Sequence, residues 1–196
     1  MKPIALDEVL DIAGYEKARP DFRPQVLAAK ELRRVTAGPH VTLLFENRLT
    51  VLYQIQEMMR VERMVSDAAI RHEVETYNEL IPAQGELSAT LMIGYESEAE
   101  RTVKLVELLG LDHHLWLAVG GLPRIPAWFD RRQIGEDRVS AVQFIRFSLP
   151  ADHRDQWLAA AETGGVAVVL DHPAYSHTEK LALPAARALF EDFSAG

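Results

Sequence analysis

The sequence contains no cysteine, and this absence excludes several classes of protein. The chain alone cannot form disulfides, use a thiolate as a nucleophile, or supply cysteine ligands to zinc or to an iron–sulfur cluster. It also lacks a glycine-rich phosphate-binding loop and the serine-bearing turn of many hydrolases. The sequence therefore carries no motif that identifies a reaction.

Long apolar runs are absent as well. No charged-then-apolar signal stretch opens the sequence, and no uninterrupted apolar run approaches the ~20 residues that span a bilayer. The 48% hydrophobic and 26% charged residues are typical of a globular protein. We expect a soluble, cytoplasmic protein with no membrane partner and a single domain over residues 1–196. Residues 1–81 should form its mostly helical part, and residues 86–196 its sheet-containing part.

Basic residues are in deficit, because 21 Lys and Arg face 29 Asp and Glu and leave a net charge of −8. This balance argues against nucleic acid as a partner and leaves a protein partner or a small ligand. One segment departs from this acidic balance, and two interpretations of that segment stay open. It forms a patch for an acidic partner or an anionic ligand, or it is a solvated helix face whose arginines pair with acids elsewhere. Seven basic residues define it: Lys17, Arg19, Arg23, Lys30, Arg33, Arg34 and Arg48.

The stretch from Gly38 to Ser66 concentrates the unusual residues of the chain. Its pattern predicts a short strand, Val41 to Phe45, a turn, and then a helix that runs to about Val65. Asn47 is a suitable N-cap for this helix, because its side chain can accept from free backbone amides.

Glu62 lies within an apolar stripe of this helix, if each residue advances by about 100°. Its helical neighbours cannot neutralise a carboxylate, so we expect its partner to come from another segment. A structural salt bridge or a solvent-exposed helix end competes with a ligand-binding or catalytic role. Glu57 lies on another face, one turn from Arg60.

The helix predicted from Asp67 to Leu80 carries apolar residues on one side and polar ones on the other. His72 and Glu75 are three residues apart and could bind a metal from one face. Exposed polar residues explain this spacing more simply.

The character of the sequence changes after Pro82 to Gly85. Helical patterns precede this point, at residues 4–13, 23–35 and 67–80, and short β-rich runs with a few helices follow it. The connections among the runs between Leu115 and Phe147 are too short for crossover helices, which indicates antiparallel pairing. We therefore predict an α+β fold, with N-terminal helices followed by a mainly antiparallel sheet that has its helices packed largely on one face.

A second group of titratable residues follows the apolar strand Val166 to Leu170. His172, Tyr175 and His177 come directly after it, where a rigid strand could aim them at a ligand. The alternative is a turn with solvent-facing histidines. If the two groups meet, a Glu/His/Tyr site results, and its candidate residues are Glu62, Glu57, Arg60, Tyr53, His172, Tyr175 and His177.

Within that set, Glu62, His172 and His177 are the candidate ligands for a divalent metal. Glutamate and neutral imidazole suit zinc, iron or manganese, and the same groups could serve acid–base catalysis.

Four segments resemble a bacterial family known as domain of unknown function 3501. They read GPHVTLLFENRLTVLYQIQEMMRVERM from Gly38, YNELIP from Tyr77, QFIRFSL from Gln143 and LDHPAYSH from Leu170. The resemblance spans nearly the whole chain but implies no assigned reaction. Such genes often lie beside genes for rubrerythrin-like proteins and iron–sulfur oxidoreductases, which implies a link to redox or peroxide metabolism.

Two functions remain open from the sequence. The first is an accessory protein that binds a partner or a small ligand without chemistry. The second is a small metal-binding protein or enzyme that uses the Glu/His/Tyr site.

Overall fold

The computed structural model describes residues 1–130, 135 and 137–194. Within these residues the chain forms six α-helices and two antiparallel sheets, which confirms the α+β prediction. The α-helices are α1 Ile12–Glu31, α2 Arg48–Glu62, α3 Asp67–Asn78, α4 Glu98–Glu107, α5 Ala151–Glu162 and α6 Leu183–Ser194. Short 3-10 turns lie at Leu6–Glu8 and Leu111–His113.

The described part of the chain contains nine strands, which divide between a large sheet, in the order β1-β2-β3-β7-β6, and a small sheet, in the order β5-β4-β8-β9. Every adjacent pair of strands is antiparallel. The strands are β1 Arg34–Ala37, β2 Val41–Glu46, β3 Glu86–Ile93, β4 Leu115–Val119, β5 Ile125–Pro126, β6 Trp128–Phe129, β7 Val142–Ser148, β8 Val166–His172 and β9 Tyr175–Lys180.

The main core lies between the two sheets. Strand alternation places Leu87, Ala89 and Leu91 of β3 on the inner face of the large sheet, where they share one cluster with Leu117 and Val168 of the small sheet. One of the connections between the sheets is very short, since only residue 127 separates β5 of the small sheet from β6 of the large sheet. On the opposite side β1 packs against β8 and β9. The two sheets therefore close around one core.

The outer face of the large sheet packs against the N-terminal helices. Val51, Ile55 and Met59 of α2 form a second cluster with Val74 of α3, and Phe144 of β7 packs against it. α2 begins where the sequence predicted, because the Asn47 side chain accepts from the amide of the third helical residue. This helical layer leaves part of the sheet's outer face open near β6 and β7.

Several sequence-based boundaries were wrong at the N-terminus. The helix predicted over residues 4–13 is a 3-10 turn, and α1 starts later, capped by Asp11. α1 also continues through Pro20 and Pro24, both exposed. Proline disfavours a helix interior because it lacks an N–H and crowds the preceding turn. Packing of α1 along α2 outweighs that cost.

The sheet region also departs from expectation in two places. The sequence predicted one sheet, whereas the strands form two. The segment after Leu170 is a tight β8–β9 hairpin, in which His172 pairs with Tyr175. Along β9, partly buried residues alternate with exposed ones, and none is fully buried. The strand therefore lacks the apolar pattern of a buried strand. Among the helices of the described residues, none has the length and apolar content needed to cross a bilayer.

Candidate functional site

A cleft of about 500 Å³ opens between α3 and the β6–β7 edge of the large sheet. One wall comes from a helix face and the other from neighbouring strands. Its lining residues are His72, Glu73, Thr76, Tyr77, Glu79, Leu80, Ser88, Trp128, Asp130, Phe144, Ile145 and Arg146.

The helical wall follows from the period of α3. Glu73 and Tyr77 are four residues apart and therefore lie on one side of the helix, as do His72 and Thr76. Val74 faces away from the cleft into the second core cluster. α3 is therefore amphipathic: one side packs in the core, and a polar stripe on the other side lines the cleft.

The sheet wall is one row of paired residues across three strands. Ser88 of β3 pairs with Arg146 of β7, and Arg146 pairs with Trp128 of β6. Strand alternation places all three on the outer face, opposite Phe147 and Phe129 in the main core. Register therefore sets a hydroxyl, a guanidinium and an indole side by side along the floor of the cleft.

Arg146 is held in place by groups at the rim of the cleft. Its guanidinium donates a hydrogen bond to the backbone carbonyl of Glu79, and its Nη1 lies 3.7 Å from a carboxylate oxygen of Glu86. Trp128 beside it is 57% exposed, which is unusual for so large an apolar ring. The cleft therefore presents the exposed Trp128 ring next to Arg146, whose guanidinium is already hydrogen-bonded.

Carboxylates shape the electrostatics around Tyr77. Burial raises the pKa of its hydroxyl; a hydrogen bond from Gln54 opposes this, and the charges of Glu73, Glu62 and Glu46 raise the pKa further. Burial and the charge of Glu62 also raise the pKa of Glu73, against a smaller lowering by His72. The Tyr77 end of the cleft is consequently an acidic environment.

Glu46 lies beyond Ser88 in the same cross-strand row and is buried. Its two oxygens accept hydrogen bonds from Thr50 at 2.5 Å and from Thr90 at 2.6 Å. Thr50 also caps the start of α2 together with Asn47. These contacts give Glu46 a structural role in joining β2, β3 and α2.

The placement of Glu62 on a buried stripe was wrong, and the structure shows the alternative, a solvent-exposed helix end. Glu62 is the last residue of α2 and is exposed, as are its neighbours Val61, at 66%, and Val65, at 82%. The chain leaves the helix at Arg63, which has a left-handed backbone conformation. The last turn of α2 therefore extends beyond the packed layer that buries Met59, and the apolar stripe has no neighbour there.

The other three α2 candidates, Tyr53, Glu57 and Arg60, contact α1. Glu57 accepts hydrogen bonds from Arg19 at 2.6 and 3.1 Å and from Tyr15 at 2.7 Å. Arg19 is the main cause that lowers the pKa of Glu57 to about 2. Arg60 lies 3.5 Å from both Glu57 and Glu16.

The Tyr53 ring is buried beneath the Lys30 ammonium, which lies 4.9 Å from the ring centroid. These contacts hold α1 on α2, and they also engage much of the basic N-terminal segment. Arg33 pairs with Asp192 and Arg48 with Glu8. For the basic N-terminal segment, these pairs favour the interpretation that its arginines pair with acids elsewhere over that of a patch for an acidic partner or an anionic ligand.

His172 is buried with both ring nitrogens bonded. Nδ1 accepts from the amide of Ala174 at 3.1 Å, so the ring proton lies on Nε2, which donates to the carbonyl of Leu109 at 3.0 Å. Both ring nitrogens of the imidazole are thus engaged, and neither is free to bind a metal. The ring fixes the β8–β9 turn against the end of α4.

Tyr175 joins the two sheets at a contact that we call the β1–β9 seam, formed by Ala37, Gly38, His40 and Tyr175. The Tyr175 hydroxyl donates to the carbonyl of Ala37 at 2.6 Å and accepts from the amide of His40 at 3.1 Å. Gly38 has a φ of +75°, and a Cβ there would lie 2.5 Å from the hydroxyl oxygen. His177 is partly exposed, with Nε2 3.4 Å from Glu179.

The structure does not assemble the predicted metal site. Within residues 1–130, 135 and 137–194, no group of three or more His, Asp or Glu side chains is placed to hold a metal ion, and Glu62, His172 and His177 all belong to this range. α2 packs on α1, α3 and β2, whereas β8 packs on β4, β9, β1 and α5. The two groups of candidate residues thus have separate surroundings.

The sequence pattern does not predict the cleft. Of its lining residues, only His72 was considered, and then as part of a different pair with Glu75. The available signals were the polar stripe of α3 and the YNELIP and QFIRFSL segments, which supply Tyr77, Leu80 and Arg146. Only the pairing of β7 with β3 and β6 brings these segments together.

A family described as "Protein of unknown function (DUF3501)" matches residues 3–193 of the chain. The chain belongs to this family. The resemblance of the four sequence segments is thereby confirmed. No curated protein matches the chain.

A solved structure has the same fold. It is a crystal structure of a "novel protein of unknown function" from Burkholderia pseudomallei K96243. The two chains are 31% identical, with a TM-score of 0.87, over 97% of this chain and 99% of the other. The fold of this chain is therefore also found in a protein of Burkholderia pseudomallei.

Proposed function

We propose that this protein is an accessory protein that binds a small organic ligand in the cleft between α3 and the β6–β7 edge, without transforming it. The main observation that supports this proposal is the cleft itself. Its volume of about 500 Å³ falls within the roughly 300–1,000 Å³ typical of small-molecule sites. Most of the surface that lines the cleft is apolar, as in many ligand pockets, and Trp128, Phe144 and Leu80 contribute to it.

Binding without chemistry agrees with the arrangement of the polar groups. A serine nucleophile requires a base within hydrogen-bonding reach, and the Ser88 hydroxyl makes no such bond in the described structure. The Thr76 hydroxyl is taken up by the carbonyl of His72 at 2.8 Å. The alternative metal-binding or enzymatic function has lost its basis, because its residues have separate surroundings.

Cytoplasmic location is part of this proposal, and the lack of cysteine is compatible with it. A link to redox or peroxide metabolism stays a prediction from the family resemblance, and no residue of the cleft supports it. A protein partner likewise stays a prediction.

Fluorine NMR with 5-fluoroindole, a neutral aromatic probe, tests whether the cleft binds. We expect its resonance to broaden on addition of the protein. Thr76→Trp should abolish the broadening, because the new ring fills the cleft. Thr102→Trp is the matched control, since Thr102 is also exposed on a helix and bonds the carbonyl four residues earlier at 2.9 Å.

The outcomes separate a cleft ligand from surface adsorption. Broadening that persists in Thr102→Trp and disappears in Thr76→Trp supports the proposal. Equal broadening in both variants, or none with the unsubstituted protein, contradicts it.

A further inference from the structure

A second cavity, of about 450 Å³, lies where α5 and α6 pack against each other, and we call it the α5–α6 groove. Arg154 and Leu158 line it from α5, because residues four apart share one side of a helix. Phe190 and Phe193 line it from α6, and its remaining lining residues are Gln84, Asp155 and Ser194. Among the described residues, none lines both this groove and the cleft. The groove is therefore a separate cavity of a size that small ligands occupy.

The guanidinium of Arg154 lines the groove without a polar partner. Within residues 1–130, 135 and 137–194 it makes no hydrogen bond and no ion pair, and its Nε is buried without an acceptor. Burial of a charged group costs free energy unless the group is paired and hydrogen-bonded. The described part of the chain thus leaves the charge of Arg154 uncompensated.

Packing against Gly85 holds this guanidinium in place. Gly85 has a φ of +73°, and a Cβ there would lie 3.2 Å from Nη1 and 3.5 Å from Cζ of Arg154. The backbone of Gly85 is itself fixed, since its amide donates to the carbonyl of Phe193 at 3.3 Å and its carbonyl accepts from the amide of Leu149 at 2.9 Å. The guanidinium is therefore oriented by packing alone, which leaves its donors for a bound group.

The charge of a suitable ligand follows from the two ionised residues of the groove. Arg154 is partly buried and unpaired, whereas Asp155 is exposed to solvent. The guanidinium presents donors in a planar fork that matches a carboxylate. Asp155 disfavours a ligand of higher negative charge, such as a phosphate dianion, because like charges repel. The groove therefore matches a single carboxylate.

The apolar walls of the groove determine the rest of the ligand. Leu158 is 38% exposed, and the partly buried Phe190 ring packs edge-on against Phe193 with the ring centroids 5.3 Å apart. These side chains would cover an apolar body attached to the carboxylate, and that contact would remove apolar surface from water.

We propose that the α5–α6 groove binds a small organic acid, one carboxylate joined to an apolar body, with Arg154 as the carboxylate-binding residue. The apolar body packs on Leu158 and Phe190. This site does not depend on the function proposed for the cleft, because the two cavities share no lining residue among those described.

A pair of matched probes tests the charge preference by titration in fluorine NMR. 4-Fluorophenylacetate and 2-(4-fluorophenyl)ethanol share one ring and differ in whether they carry a carboxylate or a neutral hydroxyl. We expect the acetate to bind about tenfold more tightly at low salt, because hydrogen bonds between charged groups are stronger than neutral ones. Added salt should reduce this preference.

Two substitutions of arginine assign the preference to the groove. Arg154→Met should lower the affinity for the acetate about tenfold and leave that for the alcohol unchanged, because it removes the charge and keeps an apolar stem. Arg187→Met is the matched control, since Arg187 is exposed on α6 and does not line the groove. It should change neither affinity.

A third variant tests the same site without removal of Arg154. Leu158→Glu places a carboxylate one helical turn from Arg154, at a position that is already 38% exposed. The new carboxylate competes for the guanidinium, so the affinity for the acetate should fall about fivefold more than that for the alcohol. This comparison decides the question if Arg154→Met does not fold.

The results separate this site from the cleft. An acetate preference that is lost in Arg154→Met or Leu158→Glu and retained in Arg187→Met supports the proposal. Equal affinities for the two probes, no binding of the acetate, or equal effects of Arg154→Met and Arg187→Met overturn it. Binding of 5-fluoroindole that depends on Thr76 tests the cleft alone, so either proposal can fail while the other stands.

Discussion

The cleft and the β8–β9 hairpin are the two polar regions of this molecule, and they differ in what their hydrogen-bonding groups contact. In the hairpin, both nitrogens of His172 and the hydroxyl of Tyr175 are hydrogen-bonded to backbone groups. In the cleft, the Ser88 hydroxyl is unbonded and the Trp128 ring is exposed. A polar side chain with complete hydrogen bonds therefore marks a structural joint, whereas an exposed ring beside a cleft marks a candidate binding site.

Replacement of Tyr175 should give the largest loss of stability. Tyr175→Phe leaves the carbonyl of Ala37 and the amide of His40 without their partner at the β1–β9 seam. We expect the free energy of unfolding to fall by about 3 kcal/mol, because each unpaired and partly buried group costs about 1–3 kcal/mol. Urea denaturation measures this change. An unchanged midpoint would mean that the seam does not hold the sheets together.

Replacement of His172 should have the next largest effect. His172→Leu removes the donor to Leu109 and the acceptor for Ala174 but keeps an apolar side chain of similar bulk. We expect a loss of about 2 kcal/mol in unfolding free energy and no change in 5-fluoroindole binding. Loss of probe binding in a folded variant would contradict the separation of the hairpin from the cleft.

A further buried histidine predicts a pH dependence in the small-sheet half of the molecule. His153 of α5 has acceptors at both ring nitrogens, since Nδ1 lies 2.9 Å from Asp152 and Nε2 lies 2.8 Å from the carbonyl of Pro123. Burial by itself lowers the pKa of His153, but these two acceptors outweigh it and raise the pKa above its ordinary value. The folded state therefore favours the imidazolium.

Because the folded pKa lies above the unfolded one, the added stability is complete below pH of about 6.5 and is lost as pH rises through the folded pKa. We expect the unfolding free energies of the unsubstituted protein and His153→Gln to converge as the pH rises from 5.5 to 8.5. Parallel pH profiles of the two proteins would argue against a charged His153.

Substitutions in the cleft should have the smallest effect on stability. Ser88→Ala breaks no hydrogen bond of the described structure, and Trp128→Ala removes a ring that is already 57% exposed. We expect Ser88→Ala to change the unfolding free energy by no more than about 0.5 kcal/mol. Trp128→Ala should also abolish 5-fluoroindole binding. A large destabilisation by Ser88→Ala would indicate a structural role and remove the contrast with the hairpin.

Much of the fold could be predicted from local sequence patterns. The apolar strand and Asn47 cap at the start of α2 were found because strand composition and capping depend on adjacent residues. The apolar run Val166 to Leu170 was placed in a strand, β8, for a similar reason. β9 was missed because it is partly exposed along its whole length, and α1 was divided because its prolines are tolerated only through packing on α2.

The candidate site was harder to predict, and Glu62 shows why. Helix period fixes which residues share a face, but it does not specify how far the neighbouring layer extends along that face. Met59 is buried and Glu62 is exposed on the same stripe. Similarly, adjacency in sequence made His172, Tyr175 and His177 appear to form one site, although separate backbone groups satisfy His172 and Tyr175.

Composition and local pattern by themselves determined the α+β class, the absence of thiol chemistry, the family membership and most element positions, because these depend on residue type and on neighbours along the chain. Tertiary structure alone decided which polar groups are satisfied and which face a cleft. Ser88, Arg146 and Trp128 are up to 58 positions apart and become neighbours only through strand register. Hydrogen-bond completion and exposure are properties of such long-range contacts, so no local pattern encodes them.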